Sequence, residues 1–325
     1  MKRLLVVGAA LLALANTMIS PAHAQGEPYP SRAVKIVVPF PPGGVTDIVG
    51  RIIAQRLGEG LGQPVVVENV GGGAGSIGAA SVAKAKPDGY TLLMGTATHA
   101  INATLMPNTG FDLQKDFQPV TLVASVPLLL AVNKSLPVNS VADLVAKAKA
   151  EPGKLNFASG SSGSASHLAG EMLKSAAKID MVHVPYKGGG PALQDLVAGH
   201  VSIMFETMPS ILPHVQNGTL RGLAVTGPKR SAAIATLPTM IESGFPGFEA
   251  GSWYGLYAPA GTPRAIVDKL HAEMVKALAK PEMQAQLSKQ GAEPIGNTPD
   301  EFRKFIAMEV AKWAEVIKVS GAKAE

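Results

Sequence analysis

The chain has 325 residues, of which 46% are hydrophobic and 16% charged, so it can bury a large core and is not intrinsically disordered. At about 100–200 residues per domain, this length predicts two domains. Lys and Arg number 29 against 24 Asp and Glu, but no basic tract of five or more residues occurs, which argues against nucleic-acid binding. The absence of cysteine excludes disulfides, thiolate nucleophiles and zinc–thiolate sites.

The N-terminal residues 1–24 have the pattern of a cleaved secretory signal peptide. Lys2 and Arg3 precede an apolar run over residues 4–14, and Ala22-His23-Ala24 fits an A-x-A cleavage site. The apolar run is shorter than the ~20 residues that a membrane span needs. We therefore expect an exported, monomeric mature protein that begins at Gln25 and resides in the bacterial periplasm.

The first part of the mature chain alternates short apolar strands with helical patterns, which predicts βαβ units and a mostly parallel sheet. Strands are predicted over 33–40, 64–70 and 91–95. The intervening helices are predicted from Ile48, Ile52, Leu57 and Leu61 near one face, and from the small residues 75–84.

The second part repeats this layout. Residues 119–132 predict two strands broken at Pro127, and further strands are predicted over 155–159, 181–185, 201–205, 220–225 and 253–258. Helices are predicted after Ser140, which has Asp143 in capping-box spacing, and after Thr262-Pro263 and Thr298-Pro299. The order predicts two α/β lobes with a ligand between them, because parallel sheets bind ligands at the carboxyl ends of their strands.

Several enzyme-like motifs are present but incomplete. Residues 73–78 (GAGSIG) match G-x-G-x-x-G, yet they follow the second strand and lack a suitable acid about 20 residues on, which favours a tight turn with close helix packing over a dinucleotide site. Residues 160–163 (GSSG) miss the nucleophile-elbow pattern by one position, and the histidines are scattered without an H-E-x-x-H motif. We expect no cofactor, no metal and no catalysis.

Three strand ends lead through small polar residues into a predicted helix: residues 39–47 (PFPPGGVTD), 94–99 (MGTATH) and 159–164 (SGSSGS). Glycine permits close backbone approach, hydroxyls supply hydrogen bonds, and the first helical N–H groups are unpaired donors that attract anions. The pattern suits a carboxylate, although ordinary helix capping uses the same residue types. No Arg or Lys lies in these loops, so Lys187 is the rival cationic anchor.

The chain resembles the Bug family of extracytoplasmic receptors of tripartite tricarboxylate transporters. The resemblance covers essentially the whole mature chain and is carried by motifs in a specific order: 39–47 (PFPPGGVTD), 67–78 (VENVGGGAGSIG), 87–93 (PDGYTLL), 184–192 (VPYKGGGPA), 220–226 (LRGLAVT) and 253–263 (WYGLYAPAGTP). It implies a type II periplasmic-binding-protein fold, a small carboxylated solute as ligand and the membrane permease subunits of such a transporter as partners.

The resemblance also implies lobe boundaries and ligand contacts. Lobe 1 would comprise residues 25–124 and 228–325, and lobe 2 residues 125–227, with crossovers near 124–127 and 226–229. The implied ligand-binding residues are Pro41, Pro42, Gly43, Gly44, Thr46, Asp47, Thr96, Thr98, Ser159, Ser161, Ser162, Gly163 and Glu206. Two positions depart from the family pattern: Glu206 stands where relatives often have Asp, and the stretch after Glu68-Asn69 is rich in glycine.

Some alternatives stay open at this point. An exported α/β hydrolase or transferase would need an activated nucleophile formed by folding. A ligand-sensing module would share the cleft but dock on a membrane sensor. Asp47 either stabilises the helix dipole or meets a ligand ammonium or hydroxyl group. Gly43 and Gly44 are expected to be required for backbone approach or a left-handed conformation.

Overall fold

The computed structural model describes residues 29–106 and 108–323, so the predicted signal peptide lies outside the described residues. Ten strands follow one another along them: β1 (Val34–Val38), β2 (Val65–Asn69), β3 (Thr91–Thr96), β4 (Phe117–Asn133), β5 (Asn156–Ser159), β6 (Val182–Pro185), β7 (Ile203–Thr207), β8 (Leu220–Val225), β9 (Gly251–Pro259) and β10 (Glu293–Pro294).

Ten α-helices connect the strands: α1 (Val45–Leu61), α2 (Ser76–Ala83), α3 (Ala97–Leu105), α4 (Val141–Ala150), α5 (Ala165–Ala177), α6 (Gly189–Ala198), α7 (Met208–Gln216), α8 (Arg264–Leu278), α9 (Pro281–Lys289) and α10 (Pro299–Ser320). None of the helices in the described ranges is long and apolar enough to cross a membrane.

The strands β1, β2 and β3 are parallel, so their carboxyl ends lie at one edge of the sheet. Strand β1 is the central one of the three, with Val34 paired to Val65 and Lys35 paired to Thr91. Its valine and isoleucine side chains are buried, as expected of a parallel strand covered on both faces. The sheet continues through antiparallel pairing of β3 with β9 and of β9 with β4.

The predicted break at Pro127 is wrong, because β4 is one strand of 17 residues. Pro127 pairs with Gly251 at the end of the β4–β9 ladder, and from Leu128 onward the partners are β7 and β8. The missing N–H of proline therefore falls where the strand changes partners, and it interrupts neither ladder. The predicted lobe boundaries at 124/125 and 227/228 stay predictions.

The strands β5, β6 and β7 form a second parallel set. Phe157 on β5 pairs with His183 on one side and Ile203 on the other. Strand β7 begins two residues later than predicted, and the N–H of Ser202, just before it, donates to the side-chain oxygen of Asn156 at 2.7 Å. The carboxyl ends of these strands form a second edge, next to the second half of β4.

Helix caps agree with the sequence at two of three predicted positions. Ser140 accepts a hydrogen bond from the Asp143 N–H, and Thr298 forms a capping box with Glu301. Helix α8 differs, because Pro263 itself is the N-cap and the Thr262 hydroxyl binds the Pro259 carbonyl at 2.8 Å instead. These caps lie far from the strand ends described below.

The G-x-G-x-x-G segment forms a tight turn. Gly73–Gly75 is a 3₁₀ turn in which Ala74 has a φ of 49°, and α2 follows it directly. A Cβ at Gly78 would lie 2.5 Å from the Val70 carbonyl oxygen and 2.9 Å from Pro39 Cβ. The last glycine therefore permits close packing of the helix on the ends of β1 and β2, as the sequence interpretation expected.

Candidate ligand-binding site

The loops after β1, β2 and β3 are held together at the first sheet edge by asparagine side chains. Asn69 Nδ2, at the end of β2, donates to the Phe40 carbonyl at 3.0 Å. Asn102 Nδ2, on α3, donates to the Ala74 carbonyl at 3.1 Å. The sequence analysis did not single out either asparagine, because each bond joins segments more than twenty residues apart.

Asp47 is buried in the first turn of α1 and stabilises the loop before it. Its Oδ2 accepts hydrogen bonds from Gly43 N–H at 2.9 Å and Arg51 Nε at 3.1 Å, while Oδ1 accepts one from Asn69 Nδ2 at 2.9 Å. Burial alone would raise the pKa of Asp47, but the hydrogen bonds from Arg51, Gly43 and Asn69 outweigh it and hold the pKa below its ordinary value. Both oxygens are thus engaged within the protein, which gives Asp47 a structural role, and its expected direct ligand contact stays a prediction.

The loop that Asp47 supports is exposed. Pro41, Pro42, Gly43 and Gly44 are all exposed, and Gly44 is the N-cap of α1 without a side-chain cap. Its first-turn N–H groups keep the partial positive charge that attracts anions. Thr46, half-buried beside this turn, is a hydrogen-bonding neighbour of Tyr254, whose burial raises its pKa to about 12.

The two glycines of this loop differ in conformation. Gly43 has a φ of +88°, which disfavours any side chain, and its N–H is already taken by Asp47. Gly44 has a φ of −77°, and a Cβ there would meet only the Pro41 carbonyl oxygen, at 4.0 Å. Of the two roles expected for these glycines, the left-handed conformation is present at Gly43 and absent at Gly44. The other expected role of Gly44, close approach of the backbone to the ligand, stays a prediction.

Thr96, at the end of β3, is 2% exposed and caps α3. Its N–H donates to His99 Nδ1 at 3.0 Å. Burial lowers the pKa of His99 to about 4, so the ring is neutral at pH 7 and can accept this bond. Thr96 thus has a structural role in capping the helix, and its expected ligand contact stays a prediction. Thr98 is partly exposed at the start of the helix.

Ser159, at the end of β5, is fully buried, and its expected ligand contact stays a prediction. Its hydroxyl donates to the Ser161 carbonyl at 3.0 Å and lies 2.7 Å from His183 Nε2. The tautomer of His183 decides which of the two groups donates in this contact.

The loop after β5 presents Ser161, Ser162 and Gly163 at the surface or partly exposed. His167, in the first turn of α5, accepts a hydrogen bond from the Gly163 N–H at Nδ1, at 3.0 Å. The ring of His167 stacks on that of His183 with centroids 3.7 Å apart. Burial first, then the neighbouring His183 and Lys174, lowers the pKa of His167 to about 4, which keeps Nδ1 available as an acceptor.

This histidine pair was missed in the sequence, where both histidines counted as scattered. His183 lies in a short strand and belongs to no recognisable motif, and His167 is sixteen residues earlier in the chain. Only the pairing of β5 with β6 brings the two rings together. The two histidines hold the loop over 160–163 in place, His167 through the Gly163 N–H and His183 through the Ser159 hydroxyl.

Glu206 lies at the end of β7, at the same sheet edge as the loops after β5 and β6. Its Oε1 accepts hydrogen bonds from the N–H and the hydroxyl of Thr207, at 2.7 and 2.8 Å. Burial raises the pKa of Glu206, and these two hydrogen bonds oppose the rise. The Gly188 N–H donates to the Gly160 carbonyl at 2.7 Å, so the loops after β5 and β6 also meet beside Glu206.

The predicted site residues thus fall into two groups. One group lies on the loops after β1 and β3, the other on the loops after β5 and β7. Within residues 29–106 and 108–323, no three His, Asp or Glu side chains lie where they could hold a metal ion. Each group offers exposed glycines and hydroxyls, and the first adds a helix N-terminus without a side-chain cap. Such groups can bind an anion.

Residues 49–322 match the family model described as the tripartite tricarboxylate transporter family receptor. The chain belongs to this receptor family. BugT of Bordetella pertussis is 41% identical to it over 327 residues, which cover 99% of both chains. The Bug resemblance inferred from the sequence motifs is thereby confirmed.

Two solved receptor structures extend the likeness to the fold. The adipate complex of Rpa4515 from R. palustris is 41% identical, covers 91% of this chain and 99% of its own, and superposes with a TM-score of 0.75. The periplasmic binding protein BugD is 38% identical, covers 91% of this chain and 100% of its own, and gives a TM-score of 0.72. The receptor is a solute-binding protein with the predicted two-lobed α/β fold.

Proposed function

We propose that this receptor captures a small carboxylated solute between its two lobes in the periplasm and delivers it, chemically unchanged, to the permease subunits of a tripartite transporter. The export step would remove residues 1–24. The lobes would be residues 25–124 with 228–325, and residues 125–227. The change of partners along β4 between Pro127 and Leu128 supports a crossover at that position.

The uncapped N-terminus of α1 is the observation that carries the proposal. Its exposed loop, Pro41 to Gly44, is fixed from behind by Asp47 and Asn69. A helix N-terminus with free N–H groups stabilises a carboxylate, and a loop fixed in advance loses little conformational entropy on binding. The binding of adipate by a relative with 41% identity supports the same ligand class.

The second lobe would contribute the exposed part of the loop after β5. Ser161, Ser162 and Gly163 are accessible, while Ser159 and His167 hold the loop in place. Pro41, Pro42, Gly44, Thr46 and Thr98 would contribute from the first lobe. In this arrangement Thr96, Ser159 and Asp47 position the binding loops without touching the ligand.

The absence of catalysis is part of the proposal. Ser159 and His183 lie 2.7 Å apart, but Ser159 is 0% exposed. A nucleophile must be reached by its substrate. The pair therefore supports a structural role in the loop.

Thermal shift of the purified mature chain against a panel of small mono-, di- and tricarboxylates tests the proposal. A ligand at one hundred times its Kd adds about 2.7 kcal/mol to the free energy of unfolding, which raises Tm by several degrees for a chain of this size. Mass spectrometry should return the ligand unchanged. No stabilisation by any carboxylate, or a converted product, would contradict the proposal.

Uptake separates a permease partner from a membrane sensor. A strain that lacks this receptor should fail to import the ligand found in the panel, and expression of the full chain should restore import. Unchanged import together with a lost transcriptional response would assign the receptor to a sensor instead.

In the proposed site the ligand carboxylate is held by uncharged donors, namely backbone N–H groups and hydroxyls, and not by a Lys or Arg side chain. We call this the neutral-donor arrangement, and two variants of the second lobe test it. Ser162→Ala should weaken binding about 10- to 150-fold if the hydroxyl contacts a charged ligand group. Lys187→Met should leave Kd within about twofold, because the exposed lysine lies outside the proposed contacts. The opposite pattern would replace the neutral-donor arrangement with a direct ion pair.

A further inference from the structure

Glu206 has one carboxylate oxygen that no protein group satisfies among the described residues. The residue is 8% exposed, and Thr207 supplies both of its hydrogen bonds, each to Oε1. Oε2 accepts none. Oε2 is not among the fully buried unpartnered atoms of the described residues, so a donor can reach it. Because the carboxylate has lost most of its contact with water, it gains from a donor that approaches the unused oxygen.

The unused oxygen is directed at the N-terminus of α6. A Cβ on Gly189, the first residue of that helix, would lie 2.7 Å from Oε2. The N-cap Gly188 has a φ of +115° and provides no side-chain cap. The protein's own carboxylate therefore occupies the place where the helix N-terminus would otherwise attract an anion.

The charge of Glu206 is not balanced by a cation. No described Lys, Arg or His forms an ion pair with it or is a named cause of its pKa shift, and Lys187, in the turn before α6, is exposed to solvent. The helix N-terminus supplies only a partial positive charge. A second carboxylate brought next to Glu206 would thus meet a negative charge at short range, whereas a hydroxyl or ammonium group would find an acceptor.

We propose that Glu206 determines ligand specificity by accepting a hydrogen bond from a hydroxyl or ammonium group at the end of the solute opposite its bound carboxylate. The inference rests on the proposed function, since it assigns a role to one residue of that cleft. It names the ligand class as hydroxy- or amino-carboxylates. An unsubstituted dicarboxylate of the same length is disfavoured.

The position of Glu206 in the fold supports this role. The carboxyl ends of β5 and β7 lie at the same sheet edge, so the residue stands beside the exposed loop over 160–163. Thr207, the next residue, pairs with Leu128 where β4 changes partners. Glu206 therefore lies at the carboxyl end of β7, between the loop after β5 and the point where β4 changes partners.

Calorimetry on matched ligand sets tests the inference. Each set holds a dicarboxylate, adipate among them, and the ω-hydroxy and ω-amino monocarboxylates of the same chain length. Wild type should bind the hydroxy or amino member at least tenfold more tightly than its dicarboxylate, and Glu206→Gln should reduce that ratio by about ten- to a hundredfold. Glu206→Asp, which retains the charge but shortens the reach, should keep the sign of the preference and reduce its size.

Control variants distinguish a failure of the role of Glu206 from a failure of the proposed receptor function. Glu293→Gln removes another half-buried acid, outside the proposed cleft, and should leave the ratio unchanged. The Tm of each variant reports its folding. A ratio that is the same in wild type and Glu206→Gln, or a wild type that prefers dicarboxylates, overturns the role of Glu206 while the receptor function stands. A wild type that binds no carboxylate of any set overturns both.

Discussion

The Asp47 carboxylate accepts a hydrogen bond from the Gly43 N–H at 2.9 Å, four residues earlier in the chain. The same carboxylate binds Arg51 and Asn69, so it connects the loop after β1, helix α1 and the end of β2. Asp47 therefore fixes the loop after β1, whose backbone we propose as the contact for the ligand carboxylate.

Asp47→Asn should lower both stability and affinity. The loss of a buried, charge-assisted network costs about 1–3 kcal/mol, and a loosened loop binds ligand more weakly. Chemical denaturation and calorimetry measure the two effects. Arg51→Met, which removes the half-exposed partner of the same pair, should cost less than 1 kcal/mol. Lost affinity in Asp47→Asn with unchanged stability would instead indicate direct ligand contact.

Gly43→Ala and Gly44→Ala form a matched pair. Alanine at φ +88° costs about 1–2 kcal/mol, so Gly43→Ala should be destabilised, whereas Gly44→Ala should unfold with nearly wild-type free energy. We expect Gly44→Ala, and more strongly Gly44→Val, to weaken binding, because a side chain there covers the α1 N-terminus. Wild-type affinity in Gly44→Val would move the carboxylate away from this helix.

His167 should control the loop after β5 through its Nδ1 acceptor. His167→Leu removes the acceptor for the Gly163 N–H, while His167→Asn places an amide oxygen close to the same point. We expect faster hydrogen exchange at Gly163 and weaker ligand binding in His167→Leu, with partial recovery in His167→Asn. Equal behaviour of the two variants would show that ring stacking, and not the acceptor, supports the loop.

Stability should fall in mild acid because of His99. Burial lowers its pKa from about 6.5 to about 4, so between these values the unfolded chain binds a proton that the folded chain does not. The free energy of unfolding should thus be constant above about pH 6.5 and decrease as pH falls toward 4. The full effect amounts to roughly 3 kcal/mol.

Denaturation at pH 7 and pH 4.5 measures this dependence. His99→Gln should lose a large part of it, and His167, whose pKa is also lowered to about 4, accounts for a further part. His200→Gln is the control, because the side chain of His200 is 72% exposed. A dependence of the same size in His99→Gln would assign it to other groups.

Local patterns in the sequence predicted the fold well, because strand hydrophobicity and helix caps act over a few residues. The strand over 220–225 and the cap at Thr298 agree with the structure. The error at Pro127 has a non-local cause, since only the change from β9 to β7 and β8 makes a proline acceptable there.

The candidate site was less predictable. The loops were found because strand ends and glycines are visible in sequence, but which side chains face outward depends on distant partners. Ser159 is buried by His183, 24 residues away, and Asp47 is engaged by Asn69, 22 residues away. The four-residue spacing of Asp47 and Arg51 was the one local signal that could have revealed the network.

The central claim is that the receptor binds a carboxylate group and leaves it unchanged. Calorimetry of the mature chain with its best-binding carboxylate and with the methyl ester of that compound tests this most directly. We expect the acid to bind and the ester to bind at least tenfold more weakly, with both recovered intact. Equal affinity for the ester, or hydrolysis of it, would contradict the account.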